Sequence, residues 1–169
     1  PRPELAAKKH AEAKMDLCGL AKGWAIDEIS KRLKPAGFSD SYVDWGGDIK
    51  VSGRHPAGRD WNVMVLEPPP LDQIGKDIPE DKKAYLAYVS LQDGASLATS
   101  GDYQQTLVGN LSHIIDPKTS RPIEISESTL ASVTVKTCSS CMIADGLATA
   151  VMTLKEDVSA ARRQLDMFH

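Results

Sequence analysis

The sequence has no excess of one charge and no long apolar run. Its 169 residues carry 20 Lys and Arg against 23 Asp and Glu, a formal charge of -3. Because basic side chains form no continuous run, the composition argues against a nucleic-acid partner or an anionic-membrane surface. No segment approaches the roughly 18 to 20 apolar residues of a membrane-spanning helix. We therefore predict neither a direct membrane span nor a secretory signal.

Cysteine is scarce as well. Cys18, Cys138 and Cys141 are too few for a disulfide scaffold, and their odd number leaves at least one free or paired outside the chain. This favours a reducing intracellular or organellar compartment. Cys138 and Cys141 form a C-x-x-C pair before a predicted helix, so a thiol-redox domain is one alternative. A zinc site made by the three cysteines and His113 is another, although a single C-x-x-C pair is weak support for it.

The length and the 41% apolar content suit one core, and we predict one domain. Residues 1–15 form a charged, Ala-rich lead-in, and residues 16–169 form the domain. A chain that starts at Pro1 rather than Met suggests a mature form, a cleavage product or a trimmed version. Residues 67–83, with three successive prolines and little to bury, are predicted to be a surface loop.

Hydrophobic spacing predicts an α+β fold, a mixed and mostly antiparallel sheet flanked by helices. The first helix runs from Leu20 to Leu33, with an inward apolar row and an outward polar face. The row is Leu20, Trp24, Ala25, Ile29 and Leu33, and the polar face is Asp27, Glu28, Lys31 and Arg32. Two more helices are predicted at Cys141 to Leu154 and Val158 to Phe168. The predicted strands are Tyr42 to Trp45, Ile49 to Ser52, Trp61 to Leu66, Ala84 to Leu91, Thr106 to Val108, Leu111 to Ile115 and Leu130 to Lys136, with Gly109-Asn110 as a hairpin turn.

One pair of oxygen-bearing side chains lies near the start of the second predicted helix. Asp145 and Thr149 are four residues apart and share a helical face. A carboxylate and a hydroxyl beside a helix N-terminus suit Mg²⁺ and a bound phosphate. The alternative is that Asp145 interacts with the helix dipole and Thr149 is a surface hydroxyl.

Three further clusters are candidates for a site. Thr99 to Asp102 is predicted to form a turn that presents hydroxyls and backbone N–H groups to a phosphate. The alternative is a plain loop. Gly46 and Gly47 allow the close approach of a ligand, or form a β-bulge. His113 lies at a strand end before the Asp116-Pro117 turn and Arg121, although a lone strand histidine is more often structural.

Taken together in chain order, these motifs resemble the ApbE family of FAD:protein FMN transferases. The family includes flavin-trafficking proteins of bacterial envelopes, and the resemblance implies a T-fold-related architecture. The resemblance rests on six segments in register. They are Asp16 to Asp27, Trp45 to Ile49, Trp61 to Val63, Ala98 to Tyr103, His113 to Thr119 and Ala144 to Ala150.

The resemblance implies Mg²⁺-dependent transfer of FMN from FAD to a Thr or Ser hydroxyl, with release of AMP. The acceptor would be a flavoprotein or a redox-complex subunit, in the bacterial envelope or periplasm. Two alternatives share the metal site. One is an FAD pyrophosphatase or flavin-binding carrier that produces FMN and AMP, and the other is an inactive accessory subunit.

The resemblance also implies residue roles. The metal ligands would be the Ala21 carbonyl, Asp145 and Thr149. The catalytic group would be His113, supported by Asp116 and Arg121. The cofactor-binding residues would be Lys22, Asp27, Gly47, Thr99, Ser100, Gly101 and Thr119.

Two departures from the family pattern stand out. Ser120 occupies a position where the family usually has Gly, so an unusual backbone angle would fall on a residue with a side chain. The resemblance covers only the later half of the family domain, which suggests an incomplete domain. The earlier half would then come from a second polypeptide, or have been removed, or be absent from a reduced version.

Overall fold

A computed structural model of the chain describes residues 7–74, 76–103, 106–107, 110–127 and 129–154. Within them lie two α-helices, α1 (Cys18–Leu33) and α2 (Cys141–Met152). The strands are β1 (Ser41–Trp45), β2 (Asp48–Ser52), β3 (Trp61–Leu66), β4 (Tyr85–Leu91), β5 (Ser96–Gly101), β6 (Thr106–Leu107), β7 (Leu111–Asp116), β8 (Arg121–Glu124) and β9 (Ser132–Thr137). The third predicted helix, Val158 to Phe168, lies outside the described residues, and so do Val108 and Gly109.

The described strands form three sheets, and every described pairing is antiparallel. The four-stranded sheet has the order β1-β2-β5-β9, and the others are β3-β4 and β6-β7-β8. This confirms the α+β fold, with three sheets where one was predicted. The predicted strands omitted β5 and β8. No helix within the described ranges is long and apolar enough to cross a membrane.

Strand β2 gives the four-stranded sheet two different faces. Successive side chains alternate across a strand, so Ile49 and Val51 join an apolar cluster with Leu91 of β4. On the opposite face, Asp48 and Lys50 form ion pairs with residues of α1. The sheet therefore has the apolar β3-β4 layer on one side. On the other side the helices cover it, and these ion pairs lie beside an apolar cluster of Ala98 and Val135 with Ala144, Leu147 and Ala148 of α2.

Helix α1 is rotated relative to the face predicted from its apolar spacing. Its buried residues are Gly23, Ile26, Asp27 and Ser30, whereas three members of the predicted apolar row, Leu20, Trp24 and Ile29, are exposed. The reason is a close approach of backbones: a Cβ at Gly23 would lie 2.5 Å from the carbonyl oxygen of Cys141. Because α2 docks on this glycine, the inner face of α1 combines one large apolar residue, Ile26, with small and polar residues, and Asp27 is buried rather than solvent-facing.

Two turns contain residues with left-handed backbone angles, and the first shows that Gly46 and Gly47 form a hairpin turn rather than the predicted β-bulge. Gly46 and Gly47 have φ of 62° and 88° and close the β1-β2 hairpin, and the N–H of Gly47 donates to Asp44 Oδ1 at 3.1 Å. Positive φ at both central residues is the two-residue hairpin geometry that favours glycine. Ser120, in the turn between β7 and β8, has φ of 55°. It therefore adopts the left-handed angle that favours glycine, as expected for this position.

Candidate active site

Asp145 lies in α2 with 3% of its surface exposed. Its Oδ2 accepts a hydrogen bond from the backbone N–H of Gly23 at 3.0 Å. The helix starts at Ser140, whose Oγ accepts from the N–H of Ile143 as an N-cap. The carboxylate is therefore fixed between the two helices, about one turn into α2.

Thr149 lies one turn further along the same face. Its Oγ1 is 3.1 Å from Ser100 Oγ on β5. On the α1 side it faces Gly19, where a Cβ would approach Thr149 Cγ2 to 3.1 Å. The i, i+4 pair predicted from the sequence thus shares a face that meets both α1 and the sheet.

Charge at this site is unbalanced. Three buried carboxylates face the helix side of the sheet, and two have an ammonium partner. Lys22 Nζ is 2.9 Å from Asp48 Oδ2, and Lys50 Nζ is 3.0 Å from Asp27 Oδ1. Within the part of the chain that the structure describes, Asp145 has no ion pair within 4 Å. One negative charge therefore lacks a cationic side chain.

The pKa of Asp48 is raised mainly by burial, and the negative charge of Asp145 contributes to the rise. Lys22 and the backbone N–H of Thr99 oppose it. The opposing groups do not outweigh burial and the second carboxylate, so the pair of acids would be stabilised by an added cation.

The donor set fits a Mg²⁺ ion of the kind held by one or two carboxylates and several waters. Asp145 supplies a carboxylate, Thr149 supplies a hydroxyl, and no ammonium among the described residues competes for Asp145. Among the described residues no three His, Cys, Asp or Glu side chains converge on a metal position, so an all-carboxylate cage is not present. Ala21 lies two residues before Gly23 on α1, and its carbonyl as a ligand stays a prediction.

The cluster predicted as a phosphate-binding turn is the end of strand β5. Thr99 and Ser100 therefore point to opposite faces of the sheet. Ser100 points toward Thr149, whereas Thr99 Oγ1 lies 2.9 Å from Thr134 Oγ1 on β9. Of the three predicted residues of this cluster, Ser100 has the direct contact with the Asp145 and Thr149 face, while Gly101 pairs with Ser132 in the sheet.

The predicted catalytic residues lie on a different sheet. His113 is on the exposed side of β7, and Arg121 is paired with Asp116 across the β7-β8 hairpin. Asp116 Oδ1 accepts from the N–H of Lys118 at 2.8 Å, which orders the turn that holds the exposed Thr119. The roles of these four residues stay predictions.

A small apolar cluster joins this sheet to α2. Ile114 of β7 and Ile123 of β8 pack with Met152, the last residue of α2. Asp145 and Thr149 lie in the earlier turns of that helix. The two groups of predicted site residues are therefore linked by one rigid helix.

Two buried acids were missing from the predicted site residues. Asp48 follows the Gly46-Gly47 turn and faces Lys22. Asp102 is 1% exposed and follows β5, and burial raises its pKa while His113 lowers it by charge attraction. Both acids lie inside segments that resemble the ApbE family, and each directly follows a glycine. That position next to a glycine is the sequence feature that could have indicated them.

The cysteines do not support the redox and zinc alternatives. Cys141 is fully buried and donates weakly to the carbonyl oxygen of Ile49 at 3.6 Å. Burial, followed by the charges of Asp48, Asp27 and Asp145, raises the pKa of Cys141 to about 12. A thiol with its pKa raised this far is a poor nucleophile near neutral pH. Cys18, Cys138 and Cys141 are all free, and with His113 they form no metal cluster among the described residues.

A hollow described by the structure lies outside this site. Its volume is about 1030 Å³, and the predicted surface loop and Tyr103 line it. The loop contains two short 3₁₀ turns, Leu71–Gln73 and Glu80–Lys82. Neither Asp145 nor Thr149 lines the hollow, so we locate the chemistry at the helix pair rather than in this hollow.

Comparison with known protein families decides the relationship. The model of the ApbE family matches residues 2–167 of the chain. The chain belongs to the ApbE family. The match includes α1, α2 and every strand described above.

Relatives of known name agree with this membership. A Chlamydia pneumoniae protein named FAD:protein FMN transferase is 35% identical over 159 residues, covering 90% of this chain and 43% of the relative. A Vibrio cholerae protein of the same name is 36% identical over 154 residues, covering 89% and 42%. The chain thus spans less than half the length of these ApbE relatives.

Solved ApbE structures share the fold. The ApbE protein of Thermotoga maritima superposes with a TM-score of 0.72 at 27% identity, covering 92% of this chain and 45% of that one. The apo form of the flavinyl transferase ApbE of Pseudomonas stutzeri gives 0.64 at 34% identity, covering 83% and 40%.

Proposed function

We propose that this chain carries the cation-binding and phosphate-binding part of an FAD:protein FMN transferase. In the proposed reaction FMN passes from FAD to a Thr or Ser hydroxyl of an acceptor protein, and AMP leaves. The observation that carries the proposal is the buried Asp145 carboxylate, which has no cationic partner among the described residues and lies one turn from Thr149. Membership of a family with relatives named FAD:protein FMN transferase supports it.

Asp145 and Thr149 would hold Mg²⁺, with the Ala21 carbonyl as a third donor. When bound, the ion would offset the negative charge that grows on the phosphate oxygens during transfer. Lys22 places an ammonium next to this region, where Asp48 holds it at 2.9 Å. We assign Lys22 to the diphosphate of FAD because its side chain is 40% exposed and so accessible to a ligand.

The transfer forms one bond and breaks one. The acceptor oxygen bonds to the FMN phosphorus, and the bond from that phosphorus to the bridging oxygen breaks, so AMP leaves with the electron pair. The proton of the acceptor hydroxyl passes to His113. Asp116, Thr119 and Arg121 position the turn beside His113, and Ser100 orients the hydroxyl of Thr149.

Mass spectrometry tests the proposal. The chain is incubated with FAD, Mg²⁺ and a candidate acceptor protein containing an exposed Thr or Ser. The expected products are an acceptor heavier by one FMN group and one equivalent of AMP. Asp145→Asn should abolish both products, whereas Asp72→Asn, at an exposed carboxylate far along the chain, should leave them unchanged.

Three other results would overturn the proposal in different ways. Free FMN and AMP without an adduct would indicate an FAD pyrophosphatase. Cation binding without either product would indicate an accessory subunit. Full activity in Asp145→Asn would show that Asp145 is not a ligand of the metal ion.

A further inference from the structure

Asp27 on α1 caps α2, a different helix. Its Oδ1 accepts from the N–H of Cys141 at 3.0 Å, and its Oδ2 accepts from the N–H of Met142 at 3.1 Å and from Ser140 Oγ at 2.7 Å. The first N–H groups of a helix have no partner within it, so this carboxylate satisfies two of them from across the fold. Both oxygens are thereby engaged by protein groups, and Asp27 is 7% exposed.

Lys50 on β2 holds the other side of the same turn. Its Nζ lies 3.0 Å from Asp27 Oδ1 and donates to the carbonyl oxygen of Ser139. Ser96 Oγ on β5 donates to that carbonyl at 3.0 Å and accepts from Lys50 Nζ at 3.3 Å. The segment before α2 is therefore fixed by its carbonyl, and the first turn of α2 by its N–H groups.

These contacts are the first of three that align α1 and α2 along their lengths. Asp27 meets Cys141, Gly23 donates to Asp145, and Gly19 packs on Thr149. Each step moves four residues back along α1 and four forward along α2, which is about one turn of each helix. If the contact of Asp27 with Cys141 were lost and α2 shifted along α1, Asp145 would move away from Gly23, and Thr149 would move away from Gly19 and Ser100.

We propose that Asp27 and Lys50 are positioning residues that set the register of α2 on α1 and so hold Asp145 and Thr149 in cation-binding geometry. This rests on the proposed function for the identity of the ligand, and it gives Asp27 a different role from the nucleotide contact implied by family resemblance. A positioning residue acts through the groups that it orients, and its loss weakens binding without removing a donor atom.

The test compares variants of the intact chain by Mn²⁺ binding, followed by electron paramagnetic resonance, and by amide hydrogen exchange. Asp27→Asn keeps the side-chain size but places an N–H₂ against one of the α2 amides. Lys50→Met keeps the length and removes the ammonium. We expect both to weaken Mn²⁺ binding by roughly tenfold or more and to speed exchange at Gly23 and the first turn of α2.

Three comparisons separate positioning from general stability. Val65→Ala, in the buried part of β3 away from both helices, should lower the melting temperature while leaving Mn²⁺ affinity and Gly23 exchange unchanged. Glu28→Gln, next to Asp27 but paired with Lys31 of its own helix, should match the wild type. Ser140→Thr, which keeps the hydroxyl, should bind Mn²⁺ better than Ser140→Ala.

The two readouts fail independently. Wild-type Mn²⁺ affinity in folded Asp27→Asn would overturn the positioning role and leave the proposed cation site intact. If the wild type binds no Mn²⁺, the proposed cation site is wrong. Amide hydrogen exchange at Gly23 is then the only test of the positioning role. Faster exchange in Asp27→Asn would support that role, and unchanged exchange would overturn it.

Discussion

The carboxylate of Asp145 accepts a hydrogen bond from the backbone N–H of Gly23 at 3.0 Å, across 122 positions of sequence. This bond joins α1 to α2 at the point where the candidate cation site is formed. Since the donor is a backbone group, it holds the carboxylate in place without neutralising its charge. The site therefore combines a fixed orientation with a negative charge that no cationic side chain in the described part of the chain balances.

The first prediction concerns that charge. Asp145→Asn keeps an oxygen that can accept from Gly23, so the fold should persist, but it removes the charge that favours a cation. We expect Mn²⁺ affinity to fall by roughly tenfold or more, measured by calorimetric titration. Asp72→Asn is the matched control at an exposed carboxylate. Equal affinity in the two variants would contradict the assignment.

A second prediction concerns the close approach of the helices. In Gly23→Ala the new methyl group would lie 2.5 Å from the Cys141 carbonyl oxygen, which is backbone and cannot rotate away. We expect a loss of about 1–3 kcal/mol in the free energy of unfolding, measured by urea denaturation, together with weaker Mn²⁺ binding.

Gly19→Ala provides the comparison for this prediction. Its new methyl group would meet the side chain of Thr149 at 3.1 Å, a contact that a small shift relieves. The loss of stability should therefore be smaller, while Mn²⁺ binding should still weaken because Thr149 moves. A larger loss of stability in Gly19→Ala than in Gly23→Ala would contradict this account of the interface.

The sequence predicted the shared face of Asp145 and Thr149 more accurately than the inward face of α1. The spacing of Asp145 and Thr149 predicted a shared face because the helical period depends only on the local backbone. The inward face of α1 was predicted wrongly. The prediction placed the most apolar residues inward, but Leu20, Trp24 and Ile29 are exposed. The face is set by the contact of Gly23 with Cys141, a long-range backbone approach that hydrophobic periodicity does not encode.

Strand β5 was missed for a similar reason. Its residues include Ser96, Thr99 and Ser100, and such polar residues between glycines are typical of a turn. Here the hydroxyls of Ser96 and Ser100 are used by the segment before α2 and by Thr149. Because those partners lie more than forty residues away in sequence, the strand could be recognised only from the tertiary contacts.

A third prediction concerns thiol reactivity. With the pKa of Cys141 raised to about 12, the thiolate fraction at pH 8 is about one in ten thousand. An excess of a thiol-reactive dye should therefore modify the exposed Cys18 and Cys138 first, and Cys141 only after unfolding. Cys141→Ala should show the same fast phase as the wild type. Rapid labelling of Cys141 in the folded protein would revive the redox alternative.

A fourth prediction concerns the pH dependence of stability. Burial raises the pKa of Asp27, but hydrogen bonds from Cys141, Met142 and Ser140, together with Lys50, outweigh it and hold the pKa below its ordinary value of 3.8. The folded state thus binds this proton less readily than the unfolded state does. The stabilisation is present above the ordinary value and is lost as the pH falls through the lowered pKa.

The measurement for this prediction is the free energy of unfolding of wild type and Asp27→Asn from neutral pH down to about pH 2. The difference between them should stay constant above about pH 5 and shrink below pH 4 as Asp27 gains its proton. A difference that grows on acidification would show that the pKa of Asp27 is raised instead.

The last prediction concerns Ser120, whose φ of 55° is in the left-handed region. An L-residue with a side chain pays roughly 1–2 kcal/mol there, and glycine avoids that cost while losing more backbone entropy on folding. We therefore expect Ser120→Gly to raise the free energy of unfolding by about 0.5–1 kcal/mol, measured by urea denaturation. Ser39→Gly, at an exposed residue before β1 whose own φ is not positive, should not be stabilising. A loss of stability in Ser120→Gly would mean that the serine side chain contributes more to the β7-β8 turn than its backbone angle costs.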